Sequence, residues 1–208
     1  MGPATLNGHP SKDAARQAVW DSLQAAGAAR FPYPPHGRIP SFAGAEAAAA
    51  RLMGHPLLRG VRAIKANPDA PQRPARQAAL EAGIVVYLPT PRLKGGFFRL
   101  DPARIPFQHR KQAASLSKGR QWAEAIPLEA LGDEIDLVVT GSVAVTRSGR
   151  RCGKGHGYGD LEYAILRELG HPPLPVATTV HPLQLVADFP ADPFDLPVSL
   201  IATPEETM

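Results

Sequence analysis

Short apolar segments that alternate with helical patterns place the strongest constraint on the fold of this 208-residue chain. Five segments have the length and the apolar character of strands: residues 61–66, 84–88, 135–139, 174–180 and 198–202. Continuous apolar strands interleaved with helices are typical of a mostly parallel sheet that is covered on both faces. The pattern therefore predicts an α/β fold built on such a sheet.

Helices are predicted between these segments. Ser11 can cap a helix that runs to about residue 26, because Ala15, Val19 and Leu23 share one helical face and Gly27 can end it. Further helices are predicted at residues 45–53, at 72–82 and after a glycine-rich loop, each followed by a glycine stop at Gly54, Gly83 and Gly170. Residues 31–40 hold four prolines and are predicted to be irregular.

Composition narrows the classes of function. Residues 1–208 fit one domain, and 44% hydrophobic with 20% charged residues favours a folded core over disorder. The net charge of +4 is modest and dispersed, which favours local anion sites over nucleic-acid binding. The basic residues 110–120 lack aromatic platforms for RNA and are interpreted as a mobile surface segment. The sequence does not indicate an oligomeric state.

The cellular setting follows from similar observations. Cys152 is the only cysteine, so neither an intramolecular disulfide nor a cysteine-based zinc site is expected, and we interpret it as a packed small residue. The first ten residues lack the apolar core of a signal peptide, and no run of about 18 apolar residues could cross a membrane. We expect a cytoplasmic protein without membrane association.

Polar residues follow several predicted strands, at the sheet edge where ligands of parallel α/β proteins bind. Asn67 follows the strand at residues 61–66, Arg92 follows the strand at 84–88, and His181 follows the strand at 174–180. We predict that these three side chains contact a substrate. Simple roles remain open for each of them: a turn former for Asn67, a solvated side chain for Arg92 and a cap before Pro182 for His181.

The glycine-rich segment 147–160 is the strongest candidate site. The alternate glycines Gly153, Gly155 and Gly157 allow positive φ angles and close approach of the backbone to an anion, just before a predicted helix N-terminus. Basic residues surround the loop: Arg147, Arg150, Arg151 and Lys154. A bridging Mg²⁺ would reconcile the carboxylate of Asp160 with a bound phosphate. A tight connection without a ligand, with Asp160 as a helix cap, remains the alternative.

Two common nucleotide motifs do not match this loop. No Gly-Lys-Ser/Thr follows it, as a Walker A loop would require, and Tyr158 stands where a dinucleotide-binding fingerprint needs its third glycine.

The loop nevertheless resembles a known family signature of Arg, one residue, and Gly-x-Gly-x-Gly-Tyr-Tyr-Asp after a strand that begins with Asp. The matching residues are Asp136, Gly149, Arg151, Gly153, Gly155, Gly157, Tyr158 and Asp160. Weaker matches flank them: Lys12, Arg16, Gln184, Asp195 and residues 203–205. On these residues the chain resembles the 5-formyltetrahydrofolate cyclo-ligases, also called methenyltetrahydrofolate synthetases.

This resemblance implies a three-layer α/β/α fold like that of ribose-phosphate isomerases and CoA transferases. It also implies ATP- and Mg²⁺-dependent conversion of 5-formyltetrahydrofolate to 5,10-methenyltetrahydrofolate, in which phosphorylation of the formyl oxygen makes a good leaving group. Phosphates would be held by Lys12, Arg16, Arg151 and Lys154 and by the loop from Gly153 through Gly155 and His156 to Gly157. Asp160 would hold Mg²⁺, and Tyr158 would line the folate or nucleotide pocket. Arg151, Lys154 and Tyr158 would thus be the catalytic residues.

Some positions depart from the family pattern. His156 replaces a small or basic residue, Gly159 replaces the second tyrosine, Thr146 replaces an aspartate and Phe194 replaces a histidine. With residues 67–69, 89–93 and 157–163, these departures resemble a divergent branch of paralogues, the synthetase domain-containing proteins. The branch leaves two alternatives to the cyclo-ligase reaction: a paralogue that binds another phosphorylated ligand, such as a thiamine-related compound, and a binding protein without turnover.

Overall fold

The computed structural model describes residues 8–91, 94–132 and 134–208. The strands of these residues are β1 (Ala29–Arg30), β2 (Ser41–Phe42), β3 (Ala63–Ala66), β4 (Val85–Pro89), β5 (Phe97–Leu100), β6 (Ala123–Ile126), β7 (Leu137–Thr140), β8 (Ala144–Thr146), β9 (Arg151–Cys152), β10 (Val176–Thr179), β11 (Leu185–Val186) and β12 (Leu200–Ala202). The α-helices are α1 (Lys12–Ala25), α2 (Ala45–Gly54), α3 (Arg73–Glu81), α4 (Arg110–Ala113), α5 (Leu116–Gly119) and α6 (Tyr158–Glu168).

The main sheet has the strand order β12-β10-β7-β3-β4-β5-β6. Every pairing from β12 to β4 is parallel, whereas β5 and β6 are antiparallel. The predicted mostly parallel sheet is therefore confirmed. The antiparallel edge was not predicted, because β6 is partly exposed and neither β5 nor β6 has a continuous apolar pattern. Two small sheets accompany the main one: β1-β2 and β11-β8-β9.

Helices cover both faces of the sheet. Alternate side chains of a strand point to opposite faces. Ile64 of β3 therefore packs in a core cluster with residues of α2 and α3, whereas Ala63 packs in a second cluster with Leu166 of α6. Lys65 follows the same alternation, so this charged side chain faces the α6 layer. The result is the predicted arrangement of helices, sheet and helices.

Local signals placed the predicted helices accurately. Ser11 caps α1, and its Oγ accepts a hydrogen bond from the amide of Ala14 at 3.1 Å. Ala15, Val19 and Leu23 are buried on one face, and Gly27 beyond the helix has a φ of 61°. None of the helices in the described ranges is long and apolar enough to cross a membrane.

The basic residues 110–120 lie mostly at the surface, as predicted, but they form the two short helices α4 and α5. Ala113 packs into the core cluster of α3, and Gly119 approaches the carbonyl of Ala113 too closely for a side chain. This packing was not predicted from the sequence, because only the small residues between the charged ones are buried.

The strand order creates a crevice next to β3. β4 follows β3 in the chain and lies next to it on one side within the sheet. β7 comes later in the chain and lies next to β3 on the opposite side. The connections therefore diverge beyond the carboxyl ends of β3 and β7, and ligands of open α/β sheets bind at such a point.

Candidate functional site

A cavity of about 930 Å³ lies at this crevice. Part of its lining is cationic and comes from two distant segments: Lys12, Arg16, Arg151 and Lys154. Another part is apolar: Leu88, Phe98, Leu100, Ala113, Leu116 and Ala123. The cavity therefore suits a ligand with an anionic end and an apolar body.

The glycine loop has the predicted positive φ angles at two of its three alternate glycines, and Gly153 is the exception. Gly155 and Gly157 have φ angles of 105° and 67°, in the left-handed region that favours glycine. Gly157 is the N-cap of α6, and its residue type offers no side chain to the amides of the first helical turn. These amides and the positive end of the helix dipole are therefore available to an anion.

Helix α1 holds the glycine loop from the other end of the chain. Arg16 donates from Nε to the carbonyl of Gly153 at 2.7 Å and from Nη1 to Asp13 at 2.5 Å. The predicted loop and the predicted N-terminal basic residues therefore form one site.

The four cations of α1 and of the glycine loop region, Lys12, Arg16, Arg151 and Lys154, each have a carboxylate partner. Lys154 contacts Asp69 at 2.8 Å, and Lys12 contacts Asp192 at 2.6 Å and Asp195 at 2.5 Å. Partial burial alone would lower the pKa of Lys12, but the two aspartates outweigh it and raise the pKa. An incoming phosphate must therefore exchange with these carboxylates.

Asp160 lies in the first turn of α6 without acting as its cap. Its Oδ1 accepts hydrogen bonds from Nη2 of Arg151 at 2.5 Å and from the amide of Leu196 at 2.9 Å. The helix has no side-chain cap, so the capping alternative does not describe this structure. Asp160 instead joins the glycine loop, through Arg151, to the segment before β12.

The balance of charge bears on the kind of anion that the cavity can accept. Among the described residues, the lining includes five cationic and six carboxylate side chains. A polyanion therefore gains little from the site unless it separates ion pairs or carries its own cation.

Asp160 is the carboxylate next to the glycine loop that could hold Mg²⁺, provided that a bound phosphate supplies further oxygen ligands. Within the described ranges, no group of three His, Cys, Asp or Glu residues is arranged to hold a metal ion. Mg²⁺ is commonly bound through one or two carboxylates together with substrate phosphates, and this needs no such cage.

A buried ion pair lies beside the cavity. Lys65 is fully buried, donates to Oδ1 of Asn67 at 2.7 Å and forms an ion pair with Glu162. Burial lowers the pKa of Lys65, and the charge of Glu162 opposes this shift. Asn67 and Glu162 also line the cavity. Glu162 was not predicted, although it lies four residues before Leu166 and therefore on the buried face of α6.

Comparison with known proteins decides the family. A model described as the 5-formyltetrahydrofolate cyclo-ligase family matches residues 10–204. The chain belongs to this family.

The relatives of this cyclo-ligase family member include proteins named "Methenyltetrahydrofolate synthase domain-containing protein". The protein from Mus musculus is 41% identical over 201 residues, which cover 93% of this chain and 54% of the mouse protein. The protein from Bos taurus is 40% identical and is covered over 52% of its length. The chain thus spans about half the length of these relatives, and the predicted resemblance to the paralogue branch is confirmed.

A solved structure supports the fold of this family member. The 5,10-methenyltetrahydrofolate synthetase of Aquifex aeolicus superposes with a TM-score of 0.58 and 16% sequence identity, over 94% of this chain and 91% of that chain. At this identity the likeness supports the fold alone.

Most of the predicted site residues of this chain line one cavity. Tyr158 and His156 are exposed in its lining, with ring centroids 6.1 Å apart. His181 is not among the described lining residues. Its Nδ1 accepts from the amide of Leu183 as a cap, and burial lowers its pKa. Arg92 lies outside the described residues.

Three further residues that line the cavity of this chain were not predicted as site residues. Thr140 ends β7, Asp192 pairs with Lys12, and Arg120 follows α5. The position of Thr140 after an apolar strand was a usable signal, whereas Asp192 and Arg120 have none in the local sequence. Cys152 also lines the cavity, but burial raises the pKa of its thiol, which suits a packed residue better than a nucleophile.

Proposed function

We propose that this chain binds a magnesium nucleotide at the glycine loop and uses it to convert 5-formyltetrahydrofolate to 5,10-methenyltetrahydrofolate. One observation carries the proposal: a single cavity joins the glycine loop and its cations to an apolar region large enough for a ring system. Membership of the cyclo-ligase family supports the folate-related part of the proposal.

The phosphates would lie against the amides of residues 153–157 and the side chains of Lys12, Arg16, Arg151 and Lys154. Asp160 would hold Mg²⁺, which supplies neutralising charge for the phosphate oxygens. The apolar lining and Tyr158 would hold the ring system. This arrangement acts through positioning and neutralisation of charge, which dominate phosphoryl transfer.

The charge balance favours a nucleotide that carries magnesium over a bare phosphorylated ligand. A triphosphate alone would add several negative charges to a lining in which carboxylates already outnumber cations among the described residues. Bound Mg²⁺ offsets part of that charge and turns Asp160 into an attractive partner.

A second candidate is a paralogue that keeps the phosphate loop and acts on another phosphorylated small molecule, with a thiamine-related compound as one possibility. The names of the relatives, which designate a domain rather than a reaction, favour it. Gly159 favours it as well, because the glycine loop lacks the second tyrosine of the family signature.

Mixing the chain with 5-formyltetrahydrofolate, ATP and Mg²⁺ tests the first candidate through the absorbance of the methenyl product. We expect product in the complete mixture and none without ATP, with Lys154→Ala as a matched slow variant. If no chromophore forms at high protein concentration, the cyclo-ligase proposal is wrong. Heat of binding with phosphorylated small molecules would then support the second candidate, and its absence would favour a binding protein without turnover.

A further inference from the structure

Thr140 has a hydroxyl without a partner at the carboxyl end of β7. The residue is fully buried and belongs to the cavity lining. Its Oγ1 makes no hydrogen bond to any described residue. A buried hydroxyl without a partner costs folding free energy, so such a group at a ligand cavity indicates a partner that binds from outside.

Arg151 has a second atom of this kind. Its Nη2 is bonded to Asp160, but its Nε is buried and makes no hydrogen bond within the described chain. The guanidinium is therefore held in place and still has an unused donor.

Gly159 lies beside both of these side chains, and all three residues line the cavity. A Cβ on Gly159 would lie 3.2 Å from Oγ1 of Thr140 and 3.3 Å from Nη2 of Arg151. Gly159 lies in the first turn of α6, where a side chain would crowd both Thr140 and Arg151. We call the part of the cavity that is lined by Thr140, Arg151 and Gly159 the Thr140 recess.

The chemistry of the Thr140 recess suits an oxyanion. The hydroxyl of Thr140 and the N–H of Arg151 Nη2 that is not bonded to Asp160 can both donate, and Gly159 lies at the positive end of the α6 dipole. Since Thr140 has no exposed surface, only the end of a ligand chain would reach it, after a small local adjustment.

We propose that the Thr140 recess binds the terminal phosphoryl group of the ligand, while the amides of residues 153–157 bind the inner phosphates. The proposal rests on the proposed nucleotide site and makes Thr140 and Gly159 determinants of phosphate-chain length.

Calorimetric titration of Mg-ATP and Mg-ADP into the wild-type chain and Thr140→Val tests this assignment. We expect the variant to bind Mg-ATP roughly 10-fold to 100-fold more weakly, as for a lost hydrogen bond to a charged group. Affinity for Mg-ADP should stay within about twofold, because its shorter phosphate chain makes no contact with Thr140. Thr140→Ser keeps the hydroxyl and should restore Mg-ATP binding.

Thermal unfolding separates this role from a structural one. Replacing an unpartnered buried hydroxyl by a methyl group should leave the melting temperature of Thr140→Val unchanged or raise it. Gly159→Ala should likewise fold normally and weaken Mg-ATP binding, because its Cβ crowds the recess.

Two results would overturn the proposal and leave the proposed function intact. One is unchanged Mg-ATP affinity in both Thr140→Val and Gly159→Ala. The other is an equal loss of ATP affinity, ADP affinity and melting temperature in Thr140→Val, which would mark Thr140 as structural. If the wild-type chain binds neither nucleotide, the proposed function is wrong and the recess assignment is overturned with it.

Discussion

The ion pair of Lys65 with Glu162 and the ion pair of Lys12 with Asp192 have the same chemistry in opposite surroundings. The first pair has side chains that are 0% and 6% exposed, whereas the second has side chains that are 17% and 74% exposed. An exposed pair contributes about 0–1 kcal/mol, so a ligand can separate it. A buried pair cannot lose one partner without leaving an uncompensated charge.

The difference indicates two roles for charge in one cavity. Pairs near solvent hold lysines ready for exchange with an anion, whereas the buried pair fixes α6 against β3. The pair of Arg151 with Asp160 is intermediate, because Arg151 is buried and Asp160 is partly exposed. We therefore expect stability effects to decrease from the buried pair to the exposed ones, whereas effects on ligand affinity are expected at the intermediate and exposed pairs.

The largest loss of stability is expected for Glu162→Gln. This change leaves the charge of Lys65 buried beside a neutral amide and should cost about 3–5 kcal/mol of unfolding free energy, measured by urea denaturation. The double variant Lys65→Met/Glu162→Leu replaces the pair by apolar groups and should recover most of that loss. If Glu162→Gln leaves the unfolding free energy unchanged, the buried pair does not contribute more to stability than the exposed pair, and the proposed difference between them is wrong.

The stability deficit of Glu162→Gln should shrink as the pH rises from 7 towards the ordinary lysine pKa of 10.5. Burial lowers the pKa of Lys65 in the folded chain, and loss of the opposing charge of Glu162 lowers it further in the variant. The unfolding free energy of the variant therefore rises more steeply with pH in this range than that of the wild-type chain, because its unfolded state binds more protons relative to its folded state. Urea denaturation at pH 7, 8 and 9, with the double variant as the control that lacks Lys65, measures this slope. A deficit that is constant with pH would show that Lys65 does not titrate in this range.

An intermediate effect is expected for Asp160→Asn. The amide keeps the shape of the acceptor but removes the charge opposite Arg151, which should cost about 1–3 kcal/mol of unfolding free energy. Mg-ATP affinity should fall by roughly 10-fold, whereas ATP without magnesium should bind no more weakly than to the wild-type chain. Calorimetry with and without Mg²⁺ measures the affinities for Mg-ATP and for ATP alone. An equal loss of both affinities in Asp160→Asn would exclude Asp160 as the magnesium ligand.

The smallest effect on stability is expected for Lys154→Ala, which should change the unfolding free energy by less than about 1 kcal/mol. Its Mg-ATP affinity should nevertheless fall, by roughly 10-fold, because a phosphate contact is lost. The matched variant Asp69→Asn frees Lys154 from its partner and should leave Mg-ATP affinity unchanged or higher. If both variants lose affinity to the same extent, the pair acts as a unit and does not exchange with the ligand.

Local sequence patterns were enough for most of the fold. Apolar runs located β4, β7 and β10, and the spacing of Ala15, Val19 and Leu23 predicted the buried face of α1. Both features depend on short-range periodicity, which is set by whether one face of an element is buried. The antiparallel strands β5 and β6 were missed for the same reason, because an edge strand with mixed exposure has no clear period.

The sequence by itself determined the parallel sheet, the helix ends and the positive φ angles at Gly155 and Gly157, since each depends on residues close together in the chain. Only the tertiary structure decided which charges are partners: Lys12 meets Asp192 across 180 positions, and Lys65 meets Glu162 from another layer. It also showed that Gly159 lies against Thr140 and Arg151. A linear pattern records which face is buried, whereas a contact between side chains of different elements arises only when the sheet and its helices pack together.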